Sequence, residues 1–580
     1  MRKLQVEEFG QQAERQLERN FFRRLERLAD VRRFVLTWIV LIGLLGGAVA
    51  AQIGGLRSYY QVPAPVPGGT FSEGVLGSFT NANPLYATSP VDIAASKLLF
   101  ASLFTYDQNN NLIGDLATDY SVDERGTTYT VRLRPNLVWH DGKPLTAEDV
   151  AFTYALIQNP DARSPLNPSF QRIVVKALDK TTVTFKLPGT LSSFPYSLTN
   201  GIVPKHILSG VSMNALRTQP FNTVRPVGAG PFKFSTLEVT GDSAATREER
   251  LALDAFDRYH TGKPKLDRFV IHSFRSEERM TQSFKNQEIN SMAGLTKTPA
   301  EVGKGSTRVY NIPLTASVMT FFKTTEGVLA DVNVRQALVR ATDQESVIKS
   351  LDYPSLPVRE PLLPKQVGYN PAYQQAPFNL AEANTMLDSA GWVKGKDGIR
   401  RKDGVKLSFS MVAQDNGEYA NVARVLQKNW HAVGADADVI LEGQTDFQST
   451  LSSHSYDALL YGISIGKDPD VIVYWDSKYA DVRAENRLNF SEYKSTIADT
   501  ALQAGRTRSD PALRAIKYQP FLQAWRDDAP AVGLYQPRFL YVTHGPVYGL
   551  SEHPINAEVE RFTNVQNWMV REKGVSQTRK

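Results

Sequence analysis

The chain has 580 residues, 42% apolar and 22% charged, a globular composition too long for one ordinary core, so two or three domains are expected. It contains no cysteine, which excludes disulfides, thiol nucleophiles, iron–sulfur clusters and a cysteine-borne lipid anchor. The 66 Lys/Arg and 60 Asp/Glu fall to 57 and 54 once residues 1–33, with nine and six, are set aside; so slight an excess gives no reason to expect nucleic-acid binding.

Within that basic tail, Leu17, Phe21, Leu25 and Leu28 recur at helical spacing, the pattern of an amphipathic helix that lies on the inner leaflet, touches a partner, or continues the membrane span. Phe34 to Leu56 follows, 23 residues without a charge, long enough to cross a ~30 Å hydrocarbon core. Arg32 and Arg33 precede it and Arg57 stands alone after it, so the positive-inside rule sets the N-terminus in the cytoplasm and the rest outside. A cleaved signal peptide is the competing reading, since Ala48-Val49-Ala50 suits a cleavage site that would leave Ala51 first. The long leading segment and the apolar residues beyond that site favour an uncleaved anchor. Gln61 to Gly69, with its alternating prolines, reads as an extended polyproline linker.

Beyond the linker, strand and helix patterns alternate. Strands are predicted at 127–134, 181–187, 266–273, 407–412 and 457–464, and helices at 91–104, 147–158, 333–341, 344–351, 379–390 and 417–432, an α/β order. Tyr129, Val131 and Leu133 alternate with polar neighbours, as in a half-buried strand. Asp141-Gly142 then supplies a turn, and Thr146 caps a helix with Asp149 placed to reach back. Asn379 with Glu382 forms a second capping box, and Gly391 ends that helix.

The string from Leu133 to Asn159, LRPNLVWHDGKPLTAEDVAFTYALIQN, resembles the signature of the family 5 extracellular solute-binding proteins, receptors for dipeptides, oligopeptides and nickel complexes that serve ABC importers. Asn83-Pro84-Leu85, Leu103 to Asp107, Leu116 to Tyr120, Val227 to Phe232, Asn333 to Asp343, Asn379 to Trp392 and Leu407 to Val412 resemble further family motifs in the family's order. The resemblance implies an α/β, two-lobed, periplasmic-binding-protein-like clamshell of type II, with an extra subdomain in lobe one, here preceded by one transmembrane helix. On that basis residues 1–33 are the cytoplasmic tail, 34–56 the membrane helix and 57–69 the linker. Lobe one takes 70–305, with an inserted subdomain at about 88–220, lobe two takes 306–529, and 530–575 return to complete lobe one. The polar end of the chain, 576–580 and much of the segment from Arg571, is expected to be disordered.

The resemblance also implies a site. Tyr461 to Ser464 corresponds to a cleft strand that pairs with a ligand backbone through Gly462, Ile463 and Ser464, and Lys467 to Asp470 to an acidic segment. Peptide-binding relatives carry an aspartate for the ligand's α-ammonium three residues before the Asp-Pro step, where this chain has Ile465. A buried ammonium without a counter-charge is costly, so either Asp468 or Asp470 takes that role or the ligand has no free N-terminus there. Tyr461 and Trp475 are expected as apolar walls, and Thr88 and Ser89 as contacts from the facing lobe, although Pro90 has no N–H to offer.

Other chemistry is weakly supported. Gly462 to Gly466 fits G-x-S-x-G, with Asp470 and His544 following in order, but a convincing helix after Ser464 is missing from the pattern. The eight histidines form no H-x-H or H-x-x-x-H pair, so no metal site or cofactor is expected, and no Walker motif is complete. The expected function is a non-enzymatic, membrane-anchored receptor with a monomeric ectodomain, which binds an oligopeptide or similar small solute and works with ABC permease subunits. A surface sensor without a transport role, or a receptor for a nickel chelate, is the alternative.

Overall fold

The computed structural model describes residues 15, 31–243, 246–299, 307–484 and 487–576. The basic helix expected around Leu17 to Leu28 lies outside them. The chain divides into two compact units, Met1–Val66 with Arg571–Lys580, and Pro67–Val570.

In the first unit, Arg32–Tyr60 is one helix of 29 residues. Its stretch from Arg32 to Ile53 is long and apolar enough to cross a membrane, and Phe34, Trp38, Ile42 and Leu44 are all more than half exposed. The expected linker is not a free polyproline spacer. Gln61–Val66 is a strand paired antiparallel with Arg571–Ser576, so the segment from Arg571 is also ordered as far as Ser576. Pro63 and Pro65 sit two residues apart and share one edge of the strand, which leaves the alternate residues to form the ladder.

The second unit is built on two large sheets. The first has seven strands, in the spatial order Thr307–Pro313, Arg538–His544, Ser291–Ala293, Thr70–Leu76, Arg268–Phe274, Glu248–Ala255 and Phe232–Thr240. The second has five, in the order Asp436–Glu442, Ser408–Gln414, Ala458–Ser464, Ala316–Phe322 and Ala531–Tyr535. Both faces of the five-stranded sheet are covered: Val318 and Phe322 enter one core while Met319 and Phe321 enter another. That two-sided burial is why Ala458 to Ile463 reads as a nearly continuous apolar run.

The chain passes between lobes at 313–316 and 535–538, because Thr307–Pro313 belongs to the first sheet and Ala531–Tyr535 to the second. The boundaries expected at 306 and 530 are therefore each several residues early. The crossings are tied together by Gln536 Nε2, which donates to the Leu314 carbonyl at 2.7 Å, and the first is also held to lobe one, where the Thr315 hydroxyl donates to Asn556 Oδ1 at 2.7 Å. The inserted subdomain carries its own four-stranded sheet, Ala117–Val122, Thr128–Leu133, Thr182–Lys186 and Val174–Ala177. Helix Pro90–Leu99 packs on the main lobe-one sheet instead, so the insert begins after that helix and not at 88.

The motifs that carried the resemblance have structural causes. The Thr146 N–H donates to the Asp149 carboxylate at 2.9 Å, starting helix Ala147–Gln158. His140 accepts from the Gly228 N–H at 3.2 Å through Nδ1, and its Nε2 lies 3.1 Å from the Gly230 carbonyl. Burial lowers its pKa to about 4, so it is a neutral ring that pins this turn. Gly228 and Gly230 run against the end of helix Pro90–Leu99, where a Cβ would stand 1.9 Å from the Leu99 carbonyl oxygen and 2.6 Å from that of Leu98. Only glycine permits so close a backbone approach.

Candidate functional site

The strand Ala458–Ser464 is bordered unequally. Ala316–Phe322 pairs with all of it, whereas Ser408–Gln414 pairs in parallel only with Ala458, Leu459 and Leu460. Among the described residues no strand covers Tyr461 to Ser464 on that side. The Gly462 N–H reaches the Tyr419 hydroxyl there, and a Cβ at 462 would lie 2.8 Å from it, so a side chain would break the contact. By strand alternation Ser464 turns its polar backbone to the same side, where its carbonyl accepts from Tyr474 at 3.0 Å. The Gly462 carbonyl and the Ser464 N–H remain directed at the uncovered edge. Ile463 turns the other way and its side chain is buried. The Tyr461 ring is half-buried against Phe447 and Phe490.

Several expected contacts are placed elsewhere. Asp468 accepts from both terminal nitrogens of Arg514 at 2.7 Å, and the two side chains are each 6% exposed. Asp470 accepts from Arg506 at 3.0 Å and from the Ser193 hydroxyl at 3.0 Å. Both carboxylates are thus already neutralised by arginines and have no charge left for a ligand ammonium. Trp475 is fully buried, stacked on Phe321 and set edge-on to Trp525, so it is core and not a cleft wall. Ser89 caps helix Pro90–Leu99, accepting from the Asp92 N–H at 3.1 Å, and Pro90 takes the first helical position, where no N–H is needed. Thr88 is exposed on the rim of a lobe-one cavity of about 390 Å³ lined mainly by Val75, Leu76, Ile93, Ala293 and Val559.

A second cavity, of about 240 Å³, lies between the insert and lobe two. Tyr120, Tyr129 and Tyr196 wall it on the insert side, with Lys365, Gln366, Lys467, Asp468 and Arg514 opposite. Burial raises the pKa of all three tyrosines, that of Tyr129 to about 12, so these walls are neutral phenols. Gln366 fixes the lobe-two side: its Nε2 donates to the Gly466 carbonyl at 2.6 Å and its Oε1 accepts from the Leu363 N–H at 2.6 Å. Lys365, Gln366 and Tyr196 come from segments with no distinctive pattern, and Tyr120 and Tyr129 were read only as parts of a family motif and a strand; the five meet only in the fold. Above this cavity the insert and lobe two touch: the Ser192 N–H and hydroxyl both donate to the Arg506 carbonyl, at 3.0 and 2.9 Å.

A nucleophile elbow is not assembled. Asp470 is engaged as described, and His544 stacks on Phe284 with its Nε2 2.6 Å from the Phe284 carbonyl. Neither is bonded to Ser464, which ends its strand, and the chain runs on through Gly466 and Lys467 before the four-residue helix Ile472–Trp475. Among the described residues no group of three His, Cys, Asp or Glu side chains converges as metal ligands would.

Comparison with known proteins agrees with this architecture. The oligopeptide-binding protein AppA of Bacillus subtilis is 26% identical over 522 residues, covering 87% of this chain and 92% of that protein. Its structure in complex with a nonapeptide matches with a TM-score of 0.68 at 24% identity, over 88% of this chain and all of the other. NikZ of Campylobacter jejuni, solved in complex with Ni(L-His), matches with a TM-score of 0.71 at 25% identity, over 86% of this chain and 99% of the other. The model for the middle region of the bacterial extracellular solute-binding proteins, family 5, matches residues 111–484. With that match spanning more than half of a two-lobed chain, the protein belongs to the bacterial extracellular solute-binding proteins of family 5.

Proposed function

We propose that the chain binds a peptide between its two lobes and delivers it to an ABC permease, with the helix Arg32–Tyr60 holding it to the membrane, N-terminus in the cytoplasm. The uncovered edge from Tyr461 to Ser464 carries this reading. A parallel strand residue gives its N–H to one partner carbonyl and takes the N–H two residues on, which are the groups Gly462 and Ser464 direct at that edge. Main-chain pairing of this kind gives affinity without demanding one side-chain sequence. Thr88 and the half-buried ring of Tyr461 are the side chains nearest in role to cleft walls. AppA, bound to a nonapeptide, is the relative that supports a peptide; NikZ supports a nickel chelate as the second reading.

Native mass spectrometry of the full-length protein in detergent tests the choice. Extra mass that sequences as peptides is the expected result. One metal–chelate mass establishes the second reading and overturns the first. Permease subunits should co-purify with the full-length protein; a signalling partner in their place would favour a sensor.

A further inference from the structure

We infer that the cavity between the insert and lobe two is an anion site, and that the ligand held between the lobes places a carboxylate there. The inference rests on the reading that a solute is held between the lobes. Four charged side chains line the cavity: Lys365, Lys467, Arg514 and Asp468. Arg514 and Asp468 neutralise one another through two 2.7 Å hydrogen bonds. Lys365 and Lys467 form no ion pair and no side-chain hydrogen bond among the described residues. The lining therefore carries two uncompensated positive charges.

Two further observations point the same way. The helix Pro511–Asp528 begins at this cavity, with Ser509 and Pro511 in its lining, and an 18-residue helix presents the positive end of its dipole there. The Asp510 carboxylate caps it, accepting from the Leu513 N–H at 2.7 Å, and offsets part of that positive charge. Lys365 has a φ of +72°, a left-handed conformation that costs a non-glycine residue energy and clusters at ligand clamps. Gln366, bonded to Gly466, fixes the backbone next to Lys365; the Lys365 side chain is exposed and that of Lys467 half-buried, and both line the cavity. On the opposite wall Tyr120 and Tyr196 supply neutral hydroxyl donors without opposing charge, while the Tyr129 hydroxyl is spent on the Leu191 carbonyl at 2.8 Å. A carboxylate from the ligand satisfies both ammonium groups, whereas an ammonium would be repelled. The carboxylate has two sources, the peptide C-terminus or an acidic side chain.

The test uses full-length protein in detergent and pools of peptides three to nine residues long, built from Ala, Gly, Ser and Gln. One pool is the free acid, one is C-terminally amidated, and one is amidated with Glu in place of Gln. Native mass spectrometry should show wild type retaining one of the two carboxylate-bearing pools over the amidated Gln pool on the order of tenfold or more. Preference for the free acid identifies the C-terminus; preference for the Glu pool identifies the side chain. The double variant Lys365→Met, Lys467→Met should lose that preference while still retaining the amidated Gln pool, which shows that it is folded. Equal retention of all pools by wild type, or an unchanged preference in the variant, overturns the inference. If no pool is retained, glutarate becomes the probe. Protection of both lysines from reductive methylation by glutarate then sustains the anion site and removes the peptide reading; no protection removes the anion site.

Discussion

Removing the Asp468 carboxylate distinguishes a ligand contact from a structural ion pair. In Asp468→Asn the guanidinium of Arg514 loses its counter-charge and one of its two 2.7 Å bonds, the amide oxygen keeping the other, while the arginine side chain is only 6% exposed. Its other partners, the Gly505 carbonyl at 3.2 Å and the Tyr518 hydroxyl at 3.4 Å, are long and carry no charge. Breaking one side of a buried pair costs about 3–5 kcal/mol, much of it the desolvation of the orphaned charge. With an unfolding entropy of about 2.1 cal/mol/K per residue, a receptor unit of about 500 residues melts some 3–5 °C lower. The second variant, Asp468→Leu with Arg514→Met, removes both charges and should recover most of that loss, giving a coupling of about 3 kcal/mol in a double-mutant cycle. Thermal and urea unfolding of the full-length protein measure both. Peptide binding should retain its preference for free over acetylated N-termini, whatever that is, because the carboxylate has no spare charge. The reasoning fails if Asp468→Asn melts with wild type, or if it selectively loses binding of peptides with a free α-ammonium.

Three further outcomes are expected. Glu360 is buried, its Oε1 has no hydrogen-bond partner, and burial raises its pKa to about 8. The unfolded chain therefore releases this proton near pH 4.5 and the folded chain near 8, so stability falls as pH rises through that window; Glu360→Gln should gain about 2–3 kcal/mol on wild type between pH 5 and 7, and parallel pH profiles of the two melting curves would contradict it. Gly228→Ala drives a Cβ to 1.9 Å from the Leu99 carbonyl oxygen and should cost roughly 3 kcal/mol, whereas Gly417→Ala, with nothing within 4 Å, should be neutral by the same melt. The mass of the protein recovered from membranes should include residues before Ala51; a chain beginning there would end the anchor proposal.

The sequence was most legible where local chemistry decides the structure. Helices Ala147–Gln158 and Gly417–Ala432 begin and end where their caps and apolar spacing place them, because N-cap hydrogen bonds are made within four residues. The boundaries between lobes were less legible: Thr307–Pro313 is a half-buried, alternating strand and Ala531–Tyr535 an apolar one, either of which suits either sheet, and only long-range pairing assigns them. The strand Gln61–Val66 was read as a linker because its partner lies some 500 residues away. At the site, the strand from Tyr461 was visible from its pattern, but the fate of Asp468 and Asp470 was not. Their partners Arg506 and Arg514 sit in helices whose arginines look like ordinary surface charge until the fold brings them in.

Those arginines also explain how the lobes meet. Arg506 ends helix Thr496–Arg506 and Arg514 lies in the first turn of Pro511–Asp528, so the segment Lys467 to Asp470 is fastened to two successive helices of lobe two. The insert then reaches this fastened segment through neutral groups alone, the Ser193 hydroxyl to Asp470 and the Ser192 N–H and hydroxyl to the Arg506 carbonyl. A net hydrogen bond contributes about 0.5–1.5 kcal/mol and one to a charged group about 1.5–3, so the three together hold the lobes by roughly 2.5–6 kcal/mol. That is less than the roughly 8 kcal/mol of a micromolar ligand, and separating the lobes leaves no unpaired charge, because each carboxylate keeps its arginine. The acids stabilise the fold of lobe two, the serines supply a closure weak enough to open, and the uncompensated charge facing the cavity is that of Lys365 and Lys467.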